Sequence, residues 1–260
     1  MSASIKLAIV AAMEREVRPL VKDWAVSEHE VSGRRFRLYS DGIAVLVCGG
    51  IGTEAARRAT EAVISLCHPG CILSVGYAGA LDRSLRVGAV VMPSRVIDAS
   101  DGSIAVTRRG EGTLLTFSSV AGVAQKAKLA AAYGASAVDM EAAAVARGAQ
   151  AHGVDFMALK VVSDEFDFSL PEIAKFVSSD GRFSSAGFAL HAALRPWLWP
   201  SVIRLAVNSA RASAVLCREL ANFVAAYSST TDTTPKQMTG TLPGPMHPIS
   251  SNATMEEVRK

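Results

Sequence analysis

Residues 42–67 read GIAVLVCGGIGTEAARRATEAVISLC, and this stretch decides the fold. Its first seven residues are apolar and rich in β-branched side chains, the composition of a strand packed on both faces. Gly49, Gly50, Ile51 and Gly52 then interrupt the run, and Thr53 offers an N-cap. From 54 to 67, Ala55, Ala56, Ala59, Ala62, Val63 and Leu66 recur at helical spacing. Strand, glycine turn and helix in succession form the repeating unit of an α/β sheet.

Working outward, 34–40 is a second β-rich segment, and Asp41-Gly42 between the two favours a tight hairpin. Upstream, IKLAIVAA at 5–12 is a short apolar run that reads as the buried opening strand. Downstream, 71–76 is a buried strand ending in the small-residue loop Gly76-Tyr77-Ala78-Gly79. Residues 87–93 and 114–117 are shorter strand candidates, and 122–132 is a helix rich in Ala and Lys. Residues 138–151 are composed for a helix, and 154–162 is a strand stopping at Ser163-Asp164. Strands alternating with helices predict a three-layer α/β/α architecture around a mixed, mostly parallel sheet.

Beyond Pro171 the composition changes. Helices are expected at 171–178 and 184–194, then Pro196 and Pro200 bracket Trp197 and Trp199, and a last amphipathic helix runs over 201–227. From 228 to 260 the chain is rich in Ser, Thr, Pro and Gly and poor in apolar residues, so one domain over 1–227 followed by a disordered tail is expected.

Composition narrows the function. The 27 Lys and Arg against 24 Asp and Glu leave a net charge of +3 without a basic stripe, unlike a nucleic-acid binder. Cys48, Cys67, Cys71 and Cys217 sit in apolar contexts with no zinc spacing, so neither a metal nor another cofactor is implied. The most apolar region, 186–207, contains His191, Arg195 and Arg204 and is no membrane span. No secretory signal precedes the first strand, and a reducing cytoplasm is the expected compartment.

Ligands of α/β sheets gather beyond the carboxyl ends of strands. The residues placed there are Glu14 and Glu16, the glycine turn, Tyr77 and Asp164. Singly, each also has an ordinary structural reading: Glu16 as a helix-start acid, Asp164 as a turn residue, Tyr77 as a packed loop residue. Glu141 lies among Val138, Met140, Ala142, Ala143, Ala144 and Val145, where a carboxylate needs a ligand or a base such as Arg147. The turn 49–52 has neither a phosphate-binding lysine nor the dinucleotide glycine spacing.

Taken together, Ala12-Met13-Glu14-Arg15-Glu16-Val17, Gly50-Ile51-Gly52, Gly76-Tyr77-Ala78-Gly79-Ala80-Leu81, Val87-Gly88, Ala137-Val138-Asp139-Met140-Glu141-Ala142 and Val162-Ser163-Asp164 resemble the ordered motifs of the purine nucleoside phosphorylase and nucleosidase superfamily. They are most similar to the branch of 5'-methylthioadenosine/S-adenosylhomocysteine nucleosidases, over roughly residues 5–170. The resemblance implies a nucleoside phosphorylase-like fold and cleavage of the N-glycosidic bond of a 5'-substituted adenine nucleoside. It implies that Glu16 positions or deprotonates water, and that Glu141 holds the ribose hydroxyls while Met140 packs on the sugar. It implies further that Asp164, beside Ser163, shares or donates a proton to N7 of the leaving adenine. Gly52, Tyr77 and Gly79 join these as substrate-binding positions, and a homodimer is implied.

Such chemistry is sound, because an oxocarbenium-like sugar needs negative charge nearby and the departing base needs a proton. Phe156, Phe166 or Phe168 could stack on the base or pack in the core. Phosphorolytic relatives hold phosphate near the positions of Ser74 and Tyr77; a phenol there favours water as the nucleophile, while Arg83 and Arg86 could supply charge for a phosphate co-substrate. The segment between Asp98 and Leu114 is shorter than in typical nucleosidases. From Gly181 on, the sequence resembles hopanoid-associated phosphorylases, which act on an adenosyl group carried by a hopane lipid. That likeness implies a greasy entrance or interfacial patch around Phe188, Trp197, Leu198 and Trp199, whose alternative is a subunit contact or a cover for the sheet. A purine-binding sensor without turnover is the remaining alternative, and the three acids speak against it.

Overall fold

The computed structural model describes residues 5–168, 173–176, 178, 181 and 183–231. In chain order its elements are β1 (Leu7–Ala11), α1 (Glu14–Val21), β2 (Ala25–Val31), β3 (Arg34–Ser40), β4 (Ala44–Cys48), α2 (Thr53–Cys67) and β5 (Cys71–Ala80). Then come β6 (Val90–Val91), β7 (Arg95–Asp98), β8 (Ile104–Val106), β9 (Thr113–Thr116), α3 (Val123–Tyr133), β10 (Ala137–Asp139), α4 (Ala142–Ala151) and β11 (Asp155–Asp164). A short 3-10 turn at Ile173–Phe176, α5 (Ser185–Ala193), a second 3-10 turn at Pro196–Leu198 and α6 (Trp199–Thr231) complete it.

The strands form one sheet in the order β2-β3-β4-β1-β5-β10-β9-β7-β8, with β11 pairing both β5 and β6. The middle is parallel: β4 with β1, β1 with β5, β5 with β11. The β2-β3-β4 meander and the β7-β8 edge are antiparallel. The central strands have no alternation because both faces are covered. On one side Val10, Val45, Ala59, Val63 and Val145 pack under α2 and α4; on the other Leu7, Ile9, Leu46, Leu73, Leu216 and Leu220 pack under α1 and α6.

Several boundaries differ from the sequence reading, each for a local reason. Residues 138 and 139 belong to strand β10, and the helix starts only at Ala142. Asp139 ends the strand: its carboxylate accepts from Ala142 N (2.9 Å) and from Thr116 Oγ1 (2.7 Å), a side-chain bond that competes with helix continuation. The small-residue segment 76–79 is strand rather than loop, since β5 continues to Ala80 alongside β11. Thr53 is the first residue of α2, and Gly52 is its N-cap. Strand β2, absent from the sequence reading, is almost wholly exposed and gives no apolar pattern; it is paired with β3 through the turn Ser32-Gly33, both at positive φ. Residues 87–93 contribute only Val90–Val91. The helix expected at 171–178 is partly outside the described residues, where 173–176 forms a single 3-10 turn. The last helix runs from Trp199 to Thr231; the expected tail lies, from 232 on, outside the described residues.

Candidate active site

The carboxyl ends of β1, β4, β5, β10 and β11 meet under α6 around a cavity of about 920 Å³. Its size suits a nucleoside with a substituent. Of the residues singled out in the sequence, Glu16, Tyr77, Gly79, Met140, Glu141, Ser163 and Asp164 line it. Gly52 stands behind it as a backbone donor to Glu141.

Glu16 sits in the first turn of α1, 2% exposed, and its Oε2 has no hydrogen-bond partner. Burial pushes its pKa up to about 8; the neighbouring Glu141 adds to this, while Lys160 and Arg15 partly offset it. Gly76, opposite, is at φ +136, and a Cβ there would stand 3.1 Å from Glu16 Oε2. Glycine therefore serves both the backbone conformation and the space beside the acid. Helix α6 fixes the other side of this residue: Ser213 Oγ donates to the Glu16 carbonyl at 2.9 Å.

Glu141 is the N-cap of α4. Its carbonyl accepts the first helical bonds from Ala144 and Val145, while its side chain crosses to the glycine turn. Gly52 N donates to Oε1 at 2.8 Å and Met140 N to Oε2 at 3.3 Å. Burial raises its pKa to about 7, helped by Asp139 and opposed by Lys160. Arg147 is not its partner: that guanidinium pairs with Asp98 at 2.6 Å and Asp101 at 3.0 Å. Two carboxyl groups thus face one cavity, neither in an ion pair among the described residues, and Glu141 makes Glu16 harder to ionise.

Asp164 ends β11, where a register shift between Val162 and Asp164 turns it toward the cavity. Ser163 Oγ donates to its Oδ1 at 2.8 Å, and Lys126 of α3 is in direct contact with its Oδ2. The pair is almost fully buried. A second buried lysine, Lys160 of β11, lies 2.9 Å from Asp139 and donates to Ser74 Oγ at 3.1 Å.

Neither lysine was singled out in the sequence. Lys160 had a signal: a cation inside the apolar run 154–162 must find a buried partner. Lys126 had none, because a lysine in an Ala and Lys-rich helix reads as part of a solvated face.

Other expectations resolve against the geometry. Phe156 lies in the core under α2 and α4, Phe166 stacks beneath Arg83 at 4.0 Å and Phe168 beneath Arg204 at 5.1 Å; none lines the cavity. The aromatic walls are Phe183 and Phe188, and Arg15 stands 4.8 Å over the Phe183 ring. Arg83 and Arg86 are outside the lining, and Arg86 donates to the Arg83 carbonyl at 2.6 Å. Ser74 is fully buried beneath Lys160. Tyr77 lines the cavity with its hydroxyl donating to the Ser209 carbonyl of α6 at 3.0 Å, and burial, then Glu16, push its ionisation up. Trp197 and Trp199 are exposed and lie outside the lining, which α6 supplies instead through Val202, Leu205, Ala206, Ser209 and Ala210.

Among the described residues no group of side chains is arranged to hold a metal ion, and no helix is long and apolar enough to cross a membrane.

Known proteins resemble this chain in sequence and in fold. A family model described as the phosphorylase superfamily matches residues 6–117 and 106–190. The 5'-methylthioadenosine/S-adenosylhomocysteine nucleosidase of Staphylococcus haemolyticus is 34% identical over 95 residues, 35% of this chain and 41% of that protein. The aligned stretch thus spans about two fifths of the length of the curated relatives. The solved nucleosidase of the same name from Helicobacter pylori superposes with a TM-score of 0.65 at 18% identity, covering 86% of this chain and 99% of that one, a likeness of fold. The nucleosidase from Colwellia psychrerythraea, solved in complex with adenine, superposes with a TM-score of 0.55 at 26% identity, covering 62% of this chain and 83% of that one. The α/β fold is the nucleoside phosphorylase fold, and, with the family model matched from residue 6 to residue 190, the chain belongs to the phosphorylase superfamily.

Proposed function

We propose that this chain is a nucleosidase that hydrolyses the N-glycosidic bond of a 5'-substituted adenosine and releases adenine. The observation that carries the reading is the convergence of Glu16, Glu141 and Asp164 on one cavity, with burial raising the proton affinity of the first two. Glu141 accepts the ribose hydroxyls and Met140 packs on the sugar. As C1' gains positive charge, the carboxylates opposite stabilise it. Glu16, whose proton affinity lies near neutrality, takes a proton from the attacking water, the range in which a general base is most effective. Asp164 and Ser163 face the base, and Gly79 leaves room beside them.

Water is the nucleophile in this reading. Tyr77, at a position that resembles the phosphate-holding one of phosphorolytic relatives, lines the cavity with a phenol, Ser74 is committed to Lys160, and Arg83 and Arg86 stand outside the lining. Incubating the protein with 5'-methylthioadenosine and S-adenosylhomocysteine, with and without phosphate, tests this directly. Free adenine and a free sugar are expected under both conditions. A 5-substituted ribose 1-phosphate (5-methylthioribose 1-phosphate from 5'-methylthioadenosine) would replace water by phosphate, and ligand binding without adenine release from any 5'-substituted adenosine would favour a sensor.

A second reading, cleavage of an adenosyl-lipid such as adenosylhopane, is favoured by one feature. The wall opposite the acids is apolar, with Phe183, Phe188, Val202 and Leu205, and Leu190, Leu194, Trp197 and Ile203 nearby in the chain are exposed. A substrate panel comparing thionucleosides with adenosyl-lipids separates the two. A homodimer and a cytoplasmic setting complete the reading; the free thiols Cys48, Cys67, Cys71 and Cys217 suit a reducing compartment.

A further inference from the structure

The carboxylate facing the base is not a free acid. Asp164 is held from one side by Ser163 Oγ and from the other by Lys126, whose Nζ also donates to the Glu165 carbonyl at 2.7 Å and the Asp164 carbonyl at 3.4 Å. Three acceptors around one Nζ are the complement of an ammonium group. All three belong to Asp164 and Glu165, so Lys126 reaches the cavity through the aspartate. The place for this contact is made by Gly79: a Cβ there would lie 2.9 Å from Asp164 Oδ2 and 3.2 Å from Lys126 Cε. Lys126 is completely buried in the first turn of α3, yet it lines the cavity.

The proton-bearing group in direct contact with the Asp164 carboxyl is the Lys126 ammonium, which has a proton to spare. Ser163 is too weak an acid to supply one. We infer that Lys126 is the proton reservoir of the leaving base, with Asp164 as the relay between its Nζ and N7 of the purine. This rests on the nucleosidase reading above.

The step balances. The C1'–N9 bond breaks with both electrons going to the purine. Lys126 passes a proton to Asp164 and Asp164 passes one to N7, so that the lysine is left as a neutral amine beside the carboxylate. The water oxygen bonds to C1' and its proton passes to Glu16. After adenine leaves, Glu16 returns its proton to solvent and Lys126 takes one up. Lys126 is thus a positioning residue that works through Asp164.

The test uses the full chain with Lys126→Arg, which keeps charge and hydrogen bonds but holds its proton far more tightly than lysine does, and with Lys126→Gln, which loses the charge. Two substrates are compared: 5'-methylthioadenosine, and the 4-nitrophenyl 5-methylthioriboside, whose leaving group departs without a proton. Lys126→Arg is expected to lower kcat for adenine release by about 100-fold or more, the range of general acid catalysis, with nitrophenol release within about threefold of wild type. Lys126→Gln should move the kcat optimum to lower pH, because Asp164 must then take its proton from solvent. The melting temperature of each variant reports folding, and either variant alone decides the matter.

Adenine release by Lys126→Arg at the wild-type rate, a parallel loss on both substrates, or an unmoved pH optimum in Lys126→Gln each overturns the relay. Wild-type protein that releases adenine from no substrate overturns instead the nucleosidase reading, and the relay with it.

Discussion

Lys160 Nζ lies 2.9 Å from Asp139 Oδ2, and both side chains are wholly withdrawn from solvent. The pair is tied in on every side. Lys160 also donates to Ser74 Oγ and the Val75 carbonyl, while Asp139 accepts from Thr116 and Ala142. It therefore joins β5, β9, β11 and the start of α4 at one point, directly beneath the acids of the site. Its charge also reaches them, since Lys160 lowers the proton affinity of both Glu16 and Glu141.

Removing one member of such a pair leaves the other charge buried alone. Lys160→Met is expected to cost about 3–5 kcal/mol of stability, the range for a broken buried ion pair. Adding Asp139→Asn should recover part of the loss, because no bare carboxylate then remains. Urea unfolding of the single and double variants measures both. A single variant within about 1 kcal/mol of wild type, the scale of an exposed pair, would show that water reaches the site and screens the charge.

Glu16→Gln keeps the shape and volume of the side chain and removes the proton acceptor. We expect kcat on 5'-methylthioadenosine to fall by about 100-fold to 10,000-fold, the contribution of a positioned base, with ligand affinity largely retained. In the wild type, kcat/KM should rise with pH as Glu16 ionises, through the range of about 7 to about 8 set by Glu16 and Glu141. The two acids share the titration, so the limb belongs to the pair. A rate profile with no rising limb there, or a Gln variant at wild-type speed, would remove Glu16 from the role of base.

The same acid makes stability depend on pH in a definite sense. Its pKa in the folded chain, about 8, lies above its ordinary value of 4.5, so between those limits the folded state binds more protons than the unfolded one. Stability is then lost as pH rises from about 4.5 through about 8. Glu16→Gln has no proton to lose. It should be more stable than wild type at pH 8 by an amount on the order of 4 kcal/mol, with the gap closing toward pH 4.5. Thermal melts of the two proteins across that range give the difference; a gap that stays constant with pH would place the ionisation of Glu16 near its ordinary value.

How much of this was legible in the sequence varies by element. The central strands and the α2 unit were read correctly because a strand covered on both faces must be apolar throughout, as Leu7–Ala11 and Ala44–Cys48 are. Strand β2 was invisible because AVSEHEV faces solvent and owes its pairing to the Ser32-Gly33 turn. The start of α4 was misplaced because Ala, Val and Met carry no sign that Asp139 will bond to Ala142. In the candidate site, the order of the three acids along the chain singles them out, and all three line one cavity. Their surroundings were not legible: the contact of Lys126 with Asp164 joins residues 38 apart, and nothing local to either announces it.

In the nucleosidase reading, the choice of 5' substituent falls to α6. Val202, Leu205, Ala206, Ser209, Ala210 and Ser213 recur at helical spacing and turn one stripe of the helix toward the cavity. Four of the six are Ala or Ser, so the stripe is shallow and the volume beside it stays open. Filling it should discriminate among substrates by the size of the 5' group. Ala206→Phe adds a ring to this wall without touching Glu16, Glu141 or Asp164, so kcat/KM for 5'-methylthioadenosine should fall less than about threefold. For a substrate with a long apolar 5' chain the fall should exceed tenfold, because overpacking a filled apolar site costs about 1–3 kcal/mol. Measuring the two substrates side by side gives the ratio. An equal fall for both would mean that the 5' group leaves the cavity by another side, and that the apolar wall of α6 serves packing rather than substrate choice.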